Sequence, residues 1–484
     1  MFVHGGVQFA RRMAAPLRKP RHLAAALLRS SGVNTGAGLE VWEQLQWRTF
    51  ASSPKEMQNG NGTKKKGESG DGEKRKKQRK KITTAEKYTV ESVEVKPDKI
   101  MITFGDNRFF EFHNSWLRDH CQCPKCIDPS TKQRSFDTLD LLKSPNTVFE
   151  TRLERKGPKG ELSITWEVMG HVDAKETCVK TTYPTKWLRD NAYSFPTEVF
   201  DRRKALQGKR PTWTPATLKE RYNNGLPEVE HADLMDTSNG DQGLKDLLTH
   251  LHRDGIVFVN NVPPSMEETE RTVRRFGVPR HTPTWGTMWD TAPNSNPKDT
   301  AYTNIGLLPH VDCCYLEDQV GFQVFNCVSA AGEGGGASTW LDGFKVAEIL
   351  KKEEEETFIF FSKTPLPYFC VTEDAHVQAE APVFSLNHVG AVQRVKFNNY
   401  DRGPLNNLTF QEVREFYKLL PILYKAFRRE DLMLKHTLKE GQMVIIDNWR
   451  VLHGREEFQG HRNLRGCYVG RDDVDSKCRM FGIL

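Results

Sequence analysis

No run of 18 or more apolar residues occurs in the 484-residue chain, which excludes a helix long enough to span a membrane, and no membrane partner is expected. Cysteine is sparse: ten residues are far too few for a disulfide scaffold of this size. Only 37% of residues are hydrophobic and the mean hydropathy is -0.62, low for a compact enzyme, so part of the chain should not pack. Acidic residues are missing from the first 39 positions, which hold six basic ones from Arg11 to Arg29. An Arg-rich, Ala- and Ser-containing leader without acids predicts a transit peptide over 1–50 and import into an organelle. A secretory signal is disfavoured because Ala24–Leu28 is too short an apolar core. No aromatic residue interrupts the lysines of Lys64–Lys81, and stacking on bases needs one. Residues 51–87 therefore read as a solvated basic linker. Residues 1–81 carry about +12 and the remainder about -5, so the pI of 8.7 belongs to the tail. That argues against nucleic acid as a partner of the folded part.

Beyond the linker the pattern changes. Val90–Val95 alternates apolar and polar residues, and Ile100–Phe104 and Ser163–Trp166 also read as strands, giving a small β-rich domain over 88–195. Residues 196–242 are turn-rich and read as a connecting segment. In the larger domain, 243–484, Leu244, Leu247, Leu248 and Leu251 have helical spacing, and Gly255 ends that helix before the strand Ile256–Val259. Further strands are expected at Val320–Val328, Thr357–Phe361, Val392–Phe397 and Met443–Asp447, with a helix over Phe410–Arg428. Many short strands with a few helices and no internal repeat predict a mostly β fold, a sandwich or jelly roll braced by helices.

Three constellations carry chemistry. In His310-Val311-Asp312 the first and third side chains share a face. With a distant His453 they form the two-imidazole, one-carboxylate set that holds Fe(II) and leaves open positions. The apolar run Met443–Ile446 leads to Asn448-Trp449-Arg450-Val451-Leu452-His453-Gly454, read as a strand and a His-Gly turn that presents the imidazole at the sheet edge. Arg462, on the next expected strand, suits a bidentate pair with a dicarboxylate. Cys121, Cys123 and Cys126, with His171 further on, suit a closed tetrahedral Zn2+ site or else are reduced thiols. Cys178, Cys327, Cys370, Cys467 and Cys478 have no ligand spacing and read as buried apolar residues. Trp285, Trp289, Tyr302 and Tyr468 stand at short intervals from these motifs. By themselves they read as core aromatics.

The His-x-Asp pair, the Asn448–Arg455 segment and the trailing Arg462 closely resemble the iron- and 2-oxoglutarate-dependent oxygenases of carnitine biosynthesis, the trimethyllysine and γ-butyrobetaine dioxygenases. Trp116–His120, Thr300–Thr303, Asp342–Phe344 and Asn398–Arg402 add to the likeness, which covers about Val90 to Leu484. The resemblance implies a double-stranded β-helix (jelly-roll) catalytic domain behind a small zinc-binding domain. It assigns Fe(II) to His310, Asp312 and His453, and the distal carboxylate of 2-oxoglutarate to Arg462. It supports structural zinc at Cys121, Cys123, Cys126 and His171. It also implies ascorbate as reductant, O2 as co-reactant, a homodimer and the mitochondrial matrix. Trp285, Trp289, Tyr302 and Tyr468 fall at the family's trimethylammonium cage, since a quaternary ammonium has no N–H and is bound by π faces. Three positions depart from the pattern: Trp285 replaces a usual Tyr, and Cys313-Cys314 follows the Asp that the resemblance assigns to iron. The resemblance implies that Asp299 selects the substrate, the other reading being a turn cap after Asn296-Pro297. The sister enzymes carry Asn there, which can donate to a bare carboxylate, whereas Asp repels one and pairs with an α-ammonium. The expected reaction is hydroxylation of Nε-trimethyllysine at C3. The alternatives are γ-butyrobetaine hydroxylation and, from another class, a zinc-organised nucleic-acid or scaffold module. The iron triad and Arg462 argue against the last.

Overall fold

Ile256-Val257-Phe258-Val259 and Met443-Val444-Ile445-Ile446 are apolar at every position, as strands covered on both faces must be. They pair antiparallel, with Val259 opposite Met443 and Ile256 opposite Ile446. Alternation then sorts their side chains between two cores. Ile256, Phe258, Val444 and Ile446 join Trp340, Leu434 and Leu452 of a second sheet. Val257, Val259, Met443 and Ile445 meet Leu244, Leu247, Leu248 and Leu251 of the helix Gln242–Asp254. That helix ends where the sequence predicts, at Gly255, whose φ of 75° is the left-handed region that favours glycine.

This computed structural model describes residues 83–139, 147–154, 159–167, 178–196, 199, 210–291, 303–330 and 335–484. The expected transit peptide, nearly all of the expected linker, and His171, Asp299 and Tyr302 lie outside the described residues. The last residues of the expected linker open a short helix, Thr84–Tyr88, with a capping box between Thr83 and Glu86.

The larger sheet has seven strands. Its path runs Trp289–Asp290, Asn463–Val469, Phe322–Ser329, Met443–Asp447, Ile256–Asn260 and Glu228–Glu230, and Pro279–Arg280 also pairs with Asn463–Val469. Glu228–Glu230 lies inside the segment read as a connector, yet it adds a parallel edge strand beside Ile256–Asn260. The second sheet is four-stranded and antiparallel: Leu307–His310, Val451–Arg455, Ser338–Asp342 and Met433–His436. Two sheets sharing one core, with helices packed outside, give the mostly β architecture expected from the sequence. No helix among the described residues is long and apolar enough to cross a membrane.

One element is corrected. Thr357–Phe361, read as a strand from its aromatic and β-branched run, lies in the helix Glu355–Lys363. The buried set is Thr357, Phe358 and Phe361, spaced i, i+1 and i+4 as one face of a helix, and Glu355 and Glu356 occupy its first turn. Tertiary burial of that face overrides the local strand preference.

The small N-terminal region holds two three-stranded antiparallel sheets: Val90–Val95, Lys99–Phe104 and Phe109–His113, then Val148–Leu153, Glu161–Trp166 and Lys180–Pro184. Ile100, Ile102, Phe110, Phe112, Leu162 and Ile164 share their core.

Candidate active site

Sheet pairing brings the first chemical constellation together. His310 ends the strand Leu307–His310 and stands opposite His453 in the antiparallel partner Val451–Arg455. His453 is therefore inside a strand, and the turn is made earlier, by Asn448–Arg450; the expected His-Gly turn is corrected. Asp312 lies two residues past His310 in the following loop, where its N–H donates to Asn448 Oδ1 at 2.9 Å. The ligand-capable atoms of His310, Asp312 and His453 all lie within 4.8 Å of one another. Asp312 Oδ1 is 3.3 Å from His310 Nε2 and 3.5 Å from His453 Nε2.

Hydrogen bonding fixes how these groups present themselves. His310 Nδ1 lies 2.7 Å from the Leu308 carbonyl, so Nδ1 carries the proton and Nε2 turns a lone pair to the cluster. Burial draws the Asp312 carboxyl upward, but the two imidazoles and the Tyr468 hydroxyl outweigh it and hold the group well below the usual carboxylate range. Burial, reinforced by His310, pushes the His453 imidazole down to about 3, so it is neutral near pH 7. Against burial, the Asp312 carboxylate raises His310. A carboxylate whose Oδ1 faces two imidazole Nε2 atoms is the donor set that a divalent transition metal requires, and the three residues fit Fe(II). The other carboxylate oxygen, Oδ2, accepts from Tyr468 Oη at 2.8 Å and from Gln323 Nε2 at 2.5 Å.

A cavity of about 120 Å³ opens from these donors. One wall is aromatic: Trp285, Trp289, Tyr315 and Tyr468. Trp289 pairs across strands with Gly466, where a Cβ would fall 2.5 Å from its indole ring; only glycine leaves room for it. Trp289 and Tyr468 have ring centroids 6.3 Å apart, and Trp285 Nε1 donates to Tyr315 Oη at 3.0 Å. Tyr315 was missed by sequence reading, which had no motif at that position. A second wall carries Arg462, just before the strand Asn463–Val469, with Nη2 donating to Ser338 Oγ at 2.9 Å. Burial lowers the pKa of this guanidinium, and no carboxylate pairs with it among the described residues. It fits the carboxylate of a dicarboxylic cosubstrate. A third wall holds Asn398 and Asp401, with Asn398 Nδ2 donating to Asp401 Oδ2 at 2.9 Å. Burial first, with the Asp401 charge adding to it, raises the Cys313 and Cys314 thiols well above their ordinary value. Cys313 lines the cavity in a left-handed conformation, φ 57°.

A model of the taurine catabolism dioxygenase TauD, TfdA family matches residues 221–468, spanning the triad, Arg462 and Tyr468. The chain belongs to this family of dioxygenases. Ahead of that match, a model described as gamma-butyrobetaine hydroxylase-like, N-terminal, covers residues 91–189 of the dioxygenase. The mitochondrial trimethyllysine dioxygenase of Rattus norvegicus is 34% identical over 379 residues, covering 77% of this chain and 83% of that protein. The gamma-butyrobetaine dioxygenase of Pseudomonas sp. is 27% identical over 381 residues, covering 78% and 92%. A solved taurine dioxygenase from Burkholderia xenovorans is similar with a TM-score of 0.38 and 18% identity, over 50% of this chain and 86% of that one.

The dioxygenase has a second donor cluster in its N-terminal module. Cys121, Cys123 and Cys126 meet Cys178, and their four sulfurs lie within 4.8 Å of one another. The reading of Cys178 as an apolar core residue is thereby corrected. It follows Trp166 across a segment too long for spacing to identify it, and only the Glu161–Trp166 and Lys180–Pro184 pairing returns it to the loop of the other three. Cys178 Sγ is 3.7 Å from Cys121 Sγ and 3.5 Å from Cys123 Sγ. A zinc tetrahedron with Zn–S of about 2.3 Å has edges of about 3.8 Å. Hydrogen bonds from Cys121 and Cys126 pull the Cys178 thiol strongly down, while hydrogen bonding to Cys126 and Cys178 pushes Cys121 far up, so the four sulfurs share their protons and Cys178 is the one that ionises most readily. Of the other four cysteines without ligand spacing, Cys327, Cys467 and Cys478 are buried and Cys370 is only half-buried.

Proposed function

We propose that this dioxygenase hydroxylates Nε-trimethyllysine at C3, with Fe(II) held by His310, Asp312 and His453 and 2-oxoglutarate paired through its distal carboxylate to Arg462. The observation that carries the reading is one cavity lined by the triad, an arginine without a carboxylate partner among the described residues, an aromatic wall and a second carboxylate. Iron bound there supplies the oxidising chemistry, using O2 and converting 2-oxoglutarate to succinate and CO2.

The protein's own residues do the rest. Trp285, Trp289, Tyr315 and Tyr468 offer π faces to a cation that cannot donate a hydrogen bond. Asp401 meets the opposite requirement, since an α-ammonium has N–H donors and calls for an anionic acceptor. γ-Butyrobetaine would bring a bare carboxylate against that like charge. Tyr302 and Asp299 remain part of the proposed substrate site on the strength of the family resemblance. Holding both ends of the substrate aims one C–H bond at the metal.

In the N-terminal module the four thiols fit Zn2+, and a site with no open position organises structure. The acid-free basic leader and the mitochondrial relatives support a mitochondrial enzyme, and we place it in the matrix as a homodimer whose partners are small molecules alone.

The test is incubation with Fe(II), ascorbate, 2-oxoglutarate and either trimethyllysine or γ-butyrobetaine, with products read by mass. Trimethyllysine should gain one oxygen with matching succinate release. A preference for γ-butyrobetaine would overturn the substrate assignment.

A further inference from the structure

Tyr468 takes part in two structures at once. Its ring lines the aromatic wall beside Trp289, while its hydroxyl donates to Oδ2 of Asp312 at 2.8 Å. Directly opposite Tyr468 in the antiparallel register is Gln323 of the strand Phe322–Ser329. Paired residues share a face, so both side chains converge on the same oxygen, Gln323 Nε2 at 2.5 Å. Both residues are buried, and Gln323 Oε1 has no hydrogen-bond partner among the described residues, where Asp312 is the group that orients this amide. Asp312 thus presents Oδ1 to the imidazoles while two donors from the larger sheet lock Oδ2.

We propose that Tyr468, backed by Gln323, is a positioning residue that couples occupancy of the aromatic site to the metal-binding carboxylate. A cation against the phenol ring polarises the O–H and restrains the ring. Both effects pass through one hydrogen bond to the oxygen that sets the orientation and basicity of Asp312. Substrate binding then tightens metal binding, and by linkage metal binding tightens substrate binding. The coupling rests on the cavity taking a metal and a trimethylammonium substrate.

Tyr468→Phe separates the two roles, because Phe keeps the π face and loses the hydroxyl. Gln323→Met removes the second donor and keeps the four aromatic side chains, although Gln323 also lines the cavity. Mn(II) affinity of metal-free protein with 2-oxoglutarate, measured by calorimetry with and without trimethyllysine, should fall at least about threefold in both variants without substrate. Trimethyllysine should tighten Mn(II) several-fold in the native enzyme and not in Tyr468→Phe. In turnover, Tyr468→Phe should raise KM no more than the several-fold lost with the coupling, lose about tenfold or more in kcat and release more succinate than hydroxylated product. A raised KM with unchanged kcat, stoichiometry and Mn(II) affinity would make Tyr468 a wall residue only. If the native enzyme rejects trimethyllysine, the substrate reading fails by itself. The clamp is then judged on substrate-free Mn(II) affinity, and equal values in native and both variant proteins overturn it.

Discussion

Asp312 and Asn448, 136 positions apart, exchange two hydrogen bonds: the Asp312 N–H donates to Asn448 Oδ1 at 2.9 Å, and Asn448 Nδ2 donates back to the Asp312 carbonyl at 3.0 Å. Asn448 Nδ2 also reaches the Val320 carbonyl at 3.3 Å, and its side chain is fully buried in the turn before the His453 strand. One amide therefore ties the loop of one proposed iron ligand to the hairpin that carries another. Asn448→Ala leaves these buried backbone groups without partners, which costs about 1–3 kcal/mol each at most. It should lower the melting temperature by several degrees and weaken Mn(II) binding about tenfold or more. Calorimetry and metal titration check both, and unchanged metal affinity would show that the tie is only structural.

His310→Ala, Asp312→Ala and His453→Ala should each abolish succinate release and metal binding while far-UV circular dichroism is retained, since each removes one of three clustered donors. Normal turnover in any purified variant would reject the triad.

Arg462→Ala should raise the 2-oxoglutarate requirement by about 10–100-fold, because a charge-assisted bond to a buried carboxylate contributes about 1.5–3 kcal/mol. The dependence of initial rate on cosubstrate concentration measures this. No change would mean that another cation holds the cosubstrate.

Asp401→Asn should cut kcat/KM for trimethyllysine about tenfold or more and narrow its lead over γ-butyrobetaine, by replacing the anionic acceptor with a neutral amide. Competition between the two substrates, read by mass, gives the ratio. An unaltered ratio would leave discrimination to other residues.

Elemental analysis should find about one zinc per chain surviving dialysis against a weak chelator, and Cys178→Ser should release it as readily as Cys121→Ser. Both variants should melt well below the native enzyme. Zinc retained in Cys178→Ser but lost in Cys121→Ser would point back to His171 as the fourth ligand.

The motifs of the proposed iron site, which the structure brings together, were legible because their residues lie close together in sequence or in a distinctive order. His310 and Asp312 are two apart, and Met443–Ile446 announces a strand covered on both faces just ahead of His453. The Gln242–Asp254 helix and its end at Gly255 were equally plain, since spacing and a left-handed glycine are local signals. Thr357–Phe361 was misread because five residues cannot say whether helix or sheet neighbours will cover them.

The sequence by itself determined most of the elements, the donor types and the family, because each depends on side-chain chemistry and short-range periodicity. Only the tertiary structure decided which groups meet. Strand register set Gln323 and Tyr468 on one oxygen of Asp312, pairing in the small domain returned Cys178 to the other three thiols, and the fold carried Tyr315 and Asp401 to the cavity walls. No spacing rule reaches those contacts. They are made across sheets, where the partner of a residue is fixed by backbone hydrogen bonding and burial rather than by its distance along the chain.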